Sequence, residues 1–263
     1  MKRPADILMR RKLIYIATLG AIVLIYMVSA FITEFHIAEG IASFPEAFSW
    51  ILRSLIPDSQ ALRRIPKILS KLWETSLLSV AVTVFASVFA FVFSLLGTRT
   101  TRVNPVISRI VRIVAAFFRN VPDVVWAMLL LFSFGQNILT GFLALFFTTF
   151  GLLTRGFIET IDEVSSSCVE ALEAAGASFS QCVFQGIIPS SMTGLVSWIL
   201  YMIETNIRSS TLIGMLTATG IGYLFDMYYK SLEFPSAGLI VLFMVILVIA
   251  IEGISNKIRR VIL

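Results

Sequence analysis

The sequence predicts an all-α membrane protein with six transmembrane helices and both termini in the cytoplasm. Of its 263 residues 57% are hydrophobic and only 14% are charged, and several uncharged runs reach the roughly 20 residues that cross a bilayer as a helix. Continuous apolar runs indicate helices, because a backbone in lipid must satisfy its own hydrogen bonds and a membrane barrel would show alternation instead. Basic residues stand at the ends of these runs, where they fix orientation.

The N-terminus is the first element that sets the topology. Residues 1–12 are basic, with Lys2 and Arg3 among them, which predicts a cytoplasmic segment. The apolar run of residues 13–33 is long and lacks a clear small-residue cleavage site, so it is predicted to be a membrane helix rather than a removed signal peptide. Residues 13–254 are predicted to form one transmembrane domain, and the basic residues 255–263 a cytoplasmic tail.

Residues 34–71 are mixed and amphipathic, and apolar residues recur there at helical spacing. Pro45, Pro57 and Pro66 are expected to break this stretch into short pieces. We expect it to lie outside the cell, with one amphipathic piece flat on the membrane surface.

Five further spans follow, at residues 73–97, 105–134, 138–157, 192–215 and 237–254. The second of the six ends at Arg99 and Arg102, which places that end inside. The third is interrupted by RNVPD, where Pro122 is expected to kink the helix or start a new one. Arg119 and Pro122 are therefore candidates for a helix break with a gating role, together with Gly214 in a later span and Gly220 and Gly222 in the outer segment that follows it.

Residues 159–190 form a polar, helix-favouring loop between two spans. Gly176 permits a sharp turn between two helices, and Pro189 suits the start of the next span. The loop is acidic, so it presents a face for basic groups of a partner. On the residues alone, a solvated helix pair that contacts nothing is an equally good interpretation.

Part of this loop, EALEAAGASFSQCVFQGIIP from Glu170 to Pro189, resembles the cytoplasmic loop of ABC-importer permeases. That motif reads EAA, three residues, Gly, nine residues, I-x-L-P. This chain departs from it at Leu172, Gly186 and Ile188. The resemblance implies a type I ABC importer permease fold with cytoplasmic coupling helices. The residues it assigns to ATPase coupling are Glu170, Ala171, Glu173, Gly176 and Pro189.

A second segment, ETNIRSSTLIGMLTATGIGYLF from Glu204 to Phe225, is similar to the fifth-helix segment of phosphonate and methionine importer permeases. The shared pattern is E-x-N-x-R followed by small residues and G-I-G, with Thr217 and Thr219 where Gly is usual. RNVPDVVWAMLL resembles a stretch of the phosphonate group. Together they imply a phosphonate permease, with a substrate of phosphonate type.

Glu204 and Arg208 share one helix face at mid-membrane, where charges are costly. One interpretation is a neutralising pair that holds a helix interface. The other is a translocation path in which Arg208, with Glu204, Asn206 and Ser209, passes an anionic phosphonate through bidentate contacts. The sequence does not decide between them.

The resemblance implies a pore-forming subunit that is not an enzyme and binds no cofactor itself. Its implied partners are a second copy of the chain, two ABC ATPase subunits that use ATP and Mg, and an extracytoplasmic substrate-binding protein. The implied location is the bacterial inner membrane, as a multi-pass protein. Nucleic acid is not expected as a partner, since the basic residues flank spans and form no stripe. A heterodimer stays open.

Alternative functions are a permease for another small solute, such as phosphite, a phosphate ester or methionine, and an ion-coupled secondary carrier. A carrier typically has acids at mid-membrane. Glu204 is the lone central acid and Arg208 stands one turn away, which argues against a carrier.

Overall fold

The computed structural model describes residues 4–99, 104–164 and 166–262, and all regular secondary structure in these residues is helical. This confirms the all-α class for the described part of the chain. Lys2, Arg3 and Arg102, which support the predicted topology, lie outside the described residues. The chain divides into two compact units, Met1–Arg53 and Ser54–Leu263. The prediction of one domain over residues 13–254 stays a prediction.

The first unit contains α1 (Pro4–Ile32) and nearly all of α2 (Ile37–Ser54). The stretch Met9–Ile32 of α1 is long and apolar enough to cross a membrane. In α2, Phe44 and Phe48 lie one turn apart with stacked rings 6.3 Å between centroids, as the predicted amphipathic pattern requires.

The expectation that Pro45 breaks the helix was wrong, because Pro45 lies inside α2. Its ring removes one backbone donor and so frees a carbonyl one turn earlier. That carbonyl belongs to an exposed part of the helix, where water can satisfy it. Pro57 does fall in the break after α2. Pro66 lies in the first turn of α4, where proline is tolerated.

The second unit begins with the short helix α3 (Ser59–Arg63), capped by Asp58, whose carboxylate accepts from the Ala61 amide at 2.7 Å. Helix α4 (Ile65–Gly97) follows and begins before the predicted Trp73. Next come α5 (Pro105–Asn120) and α6 (Asp123–Phe134), whose axes differ by 87°. Helix α7 (Ile138–Val164) extends past the predicted end of its span.

The remaining helices are α8 (Ser166–Ala174), the single turn α9 (Phe179–Gln181), a π-helical turn (Cys182–Ile187), α10 (Ile188–Thr217), α11 (Gly220–Lys230) and α12 (Phe234–Ile262). Among the described residues, five helices are long and apolar enough to span a membrane, or six if the bent pair α5–α6 counts as one. The six spans and the cytoplasmic side of both termini stay predictions.

Helix α7 is the centre of the second unit and packs against α4, α5, α6 and α10. Small residues line the buried face of α4, which lets neighbouring helices approach closely in lipid. These residues are Thr75, Ser79, Thr83, Ala86, Ala90 and Ser94. The core is therefore built from close backbone approach as much as from large side chains.

Arg64 joins the start of α4 to the turn between α11 and α12. Its guanidinium forms an ion pair with Glu233 and donates to the Ser236 hydroxyl at 3.0 Å. The same group lies 4.5 Å from the centroid of the Tyr228 ring, a cation–π contact. These contacts thus fix three elements at one end of the second unit.

Candidate coupling loop and translocation helix

The loop that resembles the coupling motif is folded on a small core of its own. Buried apolar side chains from α7, α8 and the π-helical turn form this cluster: Ile161, Val169, Cys182, Val183 and Ile187. Leu95 at the end of α4 and Leu172 pack against its edge. The loop therefore packs against the membrane helices as a rigid unit, and an element that transmits force requires such rigidity.

Gly176 forms the sharp turn between α8 and α9. Its φ of +83° lies in the left-handed region, which glycine adopts without a steric penalty. The amide of Gly176 donates to the Glu173 carbonyl at 2.9 Å, and that of Ala177 to the Leu172 carbonyl at 3.0 Å, which closes the end of α8. A Cβ at Gly176 would meet nothing within 4 Å. The requirement for glycine is therefore conformational.

Two of the departures from the motif lie in contact with each other. A Cβ added to Gly186 would come within 2.9 Å of Leu172 Cδ1. The motif places a small Ala at the position of Leu172 and a large Ile at that of Gly186. This chain has the large residue on α8 and the small one on the π-helical turn, so the two changes exchange volume across one interface.

Pro189 lies in the first turn of α10, directly after the π-helical turn. Proline supplies no backbone donor there. Two hydroxyls donate to carbonyls in this region, Ser190 to Gly186 at 2.7 Å and Ser191 to Ile187 at 2.5 Å. These two hydroxyls thus satisfy backbone carbonyls at the point where α10 begins.

The acidic face predicted for the loop borders a cavity of about 660 Å³. Glu163, Glu170 and Glu173 are exposed around it. Asp162 differs from them, because it pairs with Arg112 of α5 at 2.9 Å and accepts from the Arg99 amide at 2.7 Å. Asp162 therefore connects α7 to α5 and to the end of α4 and does not belong to the exposed face.

The Glu204–Arg208 pair forms, with Arg208 Nη1 donating to Glu204 Oε1 at 2.8 Å. The Glu204 side chain is 15% exposed and that of Arg208 is 48% exposed. Arg208 therefore keeps much of its guanidinium on the open face of α10. Ser209 beside it is half-buried.

Asn206 lies on the opposite, packed face of α10 and is 3% exposed. Its amide nitrogen donates to Thr83 Oγ1 of α4 at 2.8 Å and to Thr149 Oγ1 of α7 at 3.0 Å. One turn further, the Ser79 hydroxyl donates to Ser210 Oγ at 3.0 Å. These bonds give Asn206 a role in packing three helices. The four residues predicted for the translocation path thus occupy two faces.

Gly214, Gly220 and Gly222 lie where α10 meets α11. A Cβ on Gly214 would lie 2.5 Å from the Thr219 carbonyl oxygen, and one on Gly222 would overlap the Thr211 carbonyl. Gly220 has a φ of +60° and faces the Thr75 hydroxyl. Gly214 and Gly222 permit close backbone approach here, and Gly220 leaves room for the Thr75 hydroxyl; the gating role of the three glycines stays a prediction.

The first amides of α11 are held by α4, a contact that sequence analysis missed. The Ile221 amide donates to Thr75 Oγ1 at 2.9 Å and the Gly220 amide to Glu74 Oε1 at 3.2 Å. Lys71 pairs with the same carboxylate at 2.6 Å. A carboxylate suits the positive end of a helix. In the sequence, the adjacent Glu74 and Thr75 at the start of an apolar run were the signal that could have indicated this contact.

The RNVPD segment is the junction of α5 and α6. Helix α5 ends at Asn120, Val121 is extended, and Pro122 precedes the first residue of α6. Arg119 stands in the last turn of α5, and its Nε is buried without a hydrogen-bond partner in the described structure. Whether this bend acts as a gate stays a prediction.

Comparison with known proteins supplies the family. The family model described as "Binding-protein-dependent transport system inner membrane component" matches residues 90–261. The putative phosphite transport system permease protein HtxC of Stutzerimonas stutzeri is 28% identical over 258 residues, which cover 98% of this chain and 90% of that protein. The putative cryptic phosphonate transport system permease protein PhnE2 of Escherichia coli K12 is 30% identical over 118 residues, 45% of this chain and 97% of that one.

Other relatives match a smaller share of their own length. The phosphate-import permease protein PhnE of Mycolicibacterium smegmatis is 27% identical over 190 residues, which cover 72% of this chain but only 36% of PhnE.

Solved structures share the fold. A chain of the inward-facing methionine ABC transporter MetNI superposes with a TM-score of 0.65 at 20% identity, covering 74% of this chain and 96% of that chain. A chain of an amino acid ABC transporter with histidines gives 0.62 at 15% identity, covering 76% and 95%. The helical arrangement is thus that of ABC-importer permeases. Since the family model spans most of the chain, this protein belongs to the binding-protein-dependent transport system inner membrane component family.

Proposed function

We propose that this chain is the membrane-spanning permease subunit of an ATP-driven importer for a phosphonate or a related small phosphorus oxyanion. The observation that carries the substrate class is the match to HtxC, a putative phosphite permease, over 98% of this chain. The phosphonate permease PhnE2 supports the same class. The methionine ABC transporter and the amino acid ABC transporter share only the fold with this chain, so their solutes carry no weight here.

In this proposal the chain has six spans with both ends in the cytoplasm, and α5 and α6 together form one of them. The segment of residues 34–71 that precedes and begins α4 lies outside. The coupling loop, residues 159–190, then lies on the cytoplasmic side with its acids toward a partner. The positive-inside rule supports this orientation, because basic residues flank the inner ends of α4 and α12.

The chain works with an external binding protein and two ATPase subunits, which hydrolyse ATP and use Mg as the cofactor. Glu170, Ala171 and Glu173 lie on α8, which packs against the π-helical turn and α7, and Pro189 begins α10 directly after that turn. Because this element has its own buried core, a displacement imposed by the ATPases passes to α7 and α10 as a rigid-body movement.

The pore requires a second permease chain. A second copy is the simplest partner, as symmetric dimers are the commonest assemblies. Two relatives from Stutzerimonas stutzeri, HtxC and HtxE, both carry the name of a putative phosphite permease, which makes a second, different chain the alternative. Tagging this chain with two different epitopes in one cell distinguishes the two assemblies, since only a homodimer retains both tags.

Uptake measurements test the function itself. Cells that carry the intact gene should accumulate labelled methylphosphonate or phosphite, and cells that lack it should not. Methionine uptake serves as the comparison. If deletion abolishes methionine uptake and leaves the uptake of phosphorus oxyanions unchanged, the proposed substrate class is wrong.

A further inference from the structure

A basic cavity lies between α5 and α7, away from the Glu204–Arg208 pair. Its volume is about 190 Å³. Among the residues that the structure describes, three arginines line it, Arg112 and Arg119 from α5 and Arg155 from α7, and Glu159 is the one acid on its wall. The remaining lining residues are Ala115, Ala116 and Ile158. Arg119 is a predicted helix-break residue and Glu159 is the first residue of the predicted coupling loop, whereas the other residues that line the cavity belong to no predicted site.

The helical repeat explains why these arginines share a wall. Arg112 and Arg119 are seven residues apart, which is two turns, so both project from one face of α5. Gly151 brings α7 against that face, because a Cβ there would lie 2.6 Å from the Arg119 amide nitrogen and 2.8 Å from the Ala115 carbonyl oxygen. Arg155 stands one turn further along α7 and closes the opposite side.

The arginines are unequally paired. Arg112 donates through Nε to the Gly97 carbonyl at 2.9 Å and through Nη2 to Asp162 at 2.9 Å. Arg155 donates through Nε to Glu159 at 2.7 Å and is 52% exposed. Arg119 forms no ion pair in the described structure, and its Nε is buried without a partner. Even when Asp162 is counted, the cavity keeps one positive charge without a carboxylate.

The depth of Arg119 makes this imbalance costly. Arg119 packs beside Gly151, which stands midway along α7, a helix long enough to span the membrane. Charged groups at such depth pair with one another or line a watery path. A buried guanidinium donor with no acceptor also loses its hydration without compensation. An anion in the cavity removes both penalties.

The geometry points to a binding site for a phosphate-type oxyanion in this cavity. The volume equals roughly six water molecules at about 30 Å³ each, which admits a tetrahedral oxyanion with a few waters but no drug-sized ligand. Guanidinium groups suit this chemistry, because their planar forks donate two parallel hydrogen bonds to one oxyanion. Two kinds of molecule carry such an oxyanion. One is a free phosphorus oxyanion, and its identity as the transported solute rests on the proposed function. The other is the headgroup of an anionic lipid.

Binding to the full-length chain purified in a neutral detergent tests the site. Inorganic phosphate and methylphosphonate are titrated separately, with ³¹P NMR line broadening as the readout. Saturable binding of at least one is expected for the wild type if the source is a free anion. Arg119→Gln should weaken it at least tenfold. Arg109→Gln is the matched control, since Arg109 lies exposed on the same helix outside the cavity, and it should bind like the wild type.

Glu159→Gln separates an electrostatic site from general structural damage. Removing the only acid on the wall should tighten anion binding several-fold, a gain that misfolding cannot produce. Arg155→Gln should weaken binding, and its exposed position makes the variant tolerable if Arg119→Gln fails to fold. Equal weakening by Arg109→Gln and Arg119→Gln would overturn the site, because the effect would then be one of overall charge.

Lipid nanodiscs distinguish the two sources. If the occupant is a headgroup, free anions bind weakly, and native mass spectrometry shows phosphatidylglycerol retained by the wild type and lost from Arg119→Gln. The absence of both anion binding and selective lipid retention overturns the proposal. These measurements need no transport. A chain that binds phosphate at Arg119 yet imports another solute would refute the proposed function and leave the site in place.

Discussion

Exchanging the volumes of Leu172 and Gly186 tests whether the coupling loop is held together by their contact. Gly186→Ile places a Cβ 2.9 Å from Leu172 Cδ1, and the rest of the side chain must enter the same space. Overpacking of this kind typically costs about 1–3 kcal/mol. Helix propensity favours isoleucine over glycine by roughly 0.5 kcal/mol. A net loss of stability in Gly186→Ile must therefore come from the contact with Leu172.

The compensating change is Leu172→Ala, which restores the small residue of the motif. Alone it removes three carbons from a half-buried side chain, for a loss of about 1–2 kcal/mol when each fully buried methylene contributes about 0.8 kcal/mol. In the double variant the isoleucine fills the space that the leucine leaves. The double variant should therefore be more stable than the sum of the single changes by about 1–2 kcal/mol, a coupling typical of residues in contact.

Thermal unfolding of the purified chain, followed together with ATP-driven uptake, measures this coupling. A difference of 1 kcal/mol corresponds to roughly 2–4 °C for a protein of about this size. Gly253→Ile is the matched control, because a Cβ at Gly253, which also lies in a helix, meets nothing within 4 Å, and it should change stability only by the helix-propensity gain of roughly 0.5 kcal/mol. Strict additivity of the two changes at positions 172 and 186, or a stable Gly186→Ile variant with normal uptake, would refute the argument.

Three further predictions concern coupling, topology and the charged pair. Gly176→Leu forces a branched side chain into a φ of +83°, at a cost of roughly 1–3 kcal/mol, and should abolish uptake while the chain remains in the membrane; full uptake would remove Gly176 from the coupling role. An impermeant thiol reagent should label Gln60→Cys and not Asn256→Cys in intact cells, both sites being exposed, and the opposite labelling would invert the proposed topology. Arg208→Gln should impair uptake by leaving Glu204 without its partner. If the pair is structural, adding Glu204→Gln should restore part of the uptake. A double variant that folds well but does not recover uptake indicates contact between Arg208 and the substrate.

The local features of the fold followed from local chemistry. The apolar runs predicted helices, and the interruption at Pro122 and the left-handed turn at Gly176 stand where the residue types place them. Boundaries were less accurate. Helix α4 begins at Ile65 because proline is accepted in a first helical turn, and Pro45 lies within α2 because an exposed helix tolerates one missing hydrogen bond.

Composition and the spacing of the coupling motif were enough to predict a helical membrane protein of the importer-permease family. Periodicity, proline and glycine act over a few residues, and a motif keeps its spacing whatever surrounds it. Which side chains meet depends on how helices distant in the chain cross. Only the tertiary structure could therefore place Asn206 between Thr83 and Thr149, bring Leu172 against Gly186, and set three arginines of two helices around one cavity.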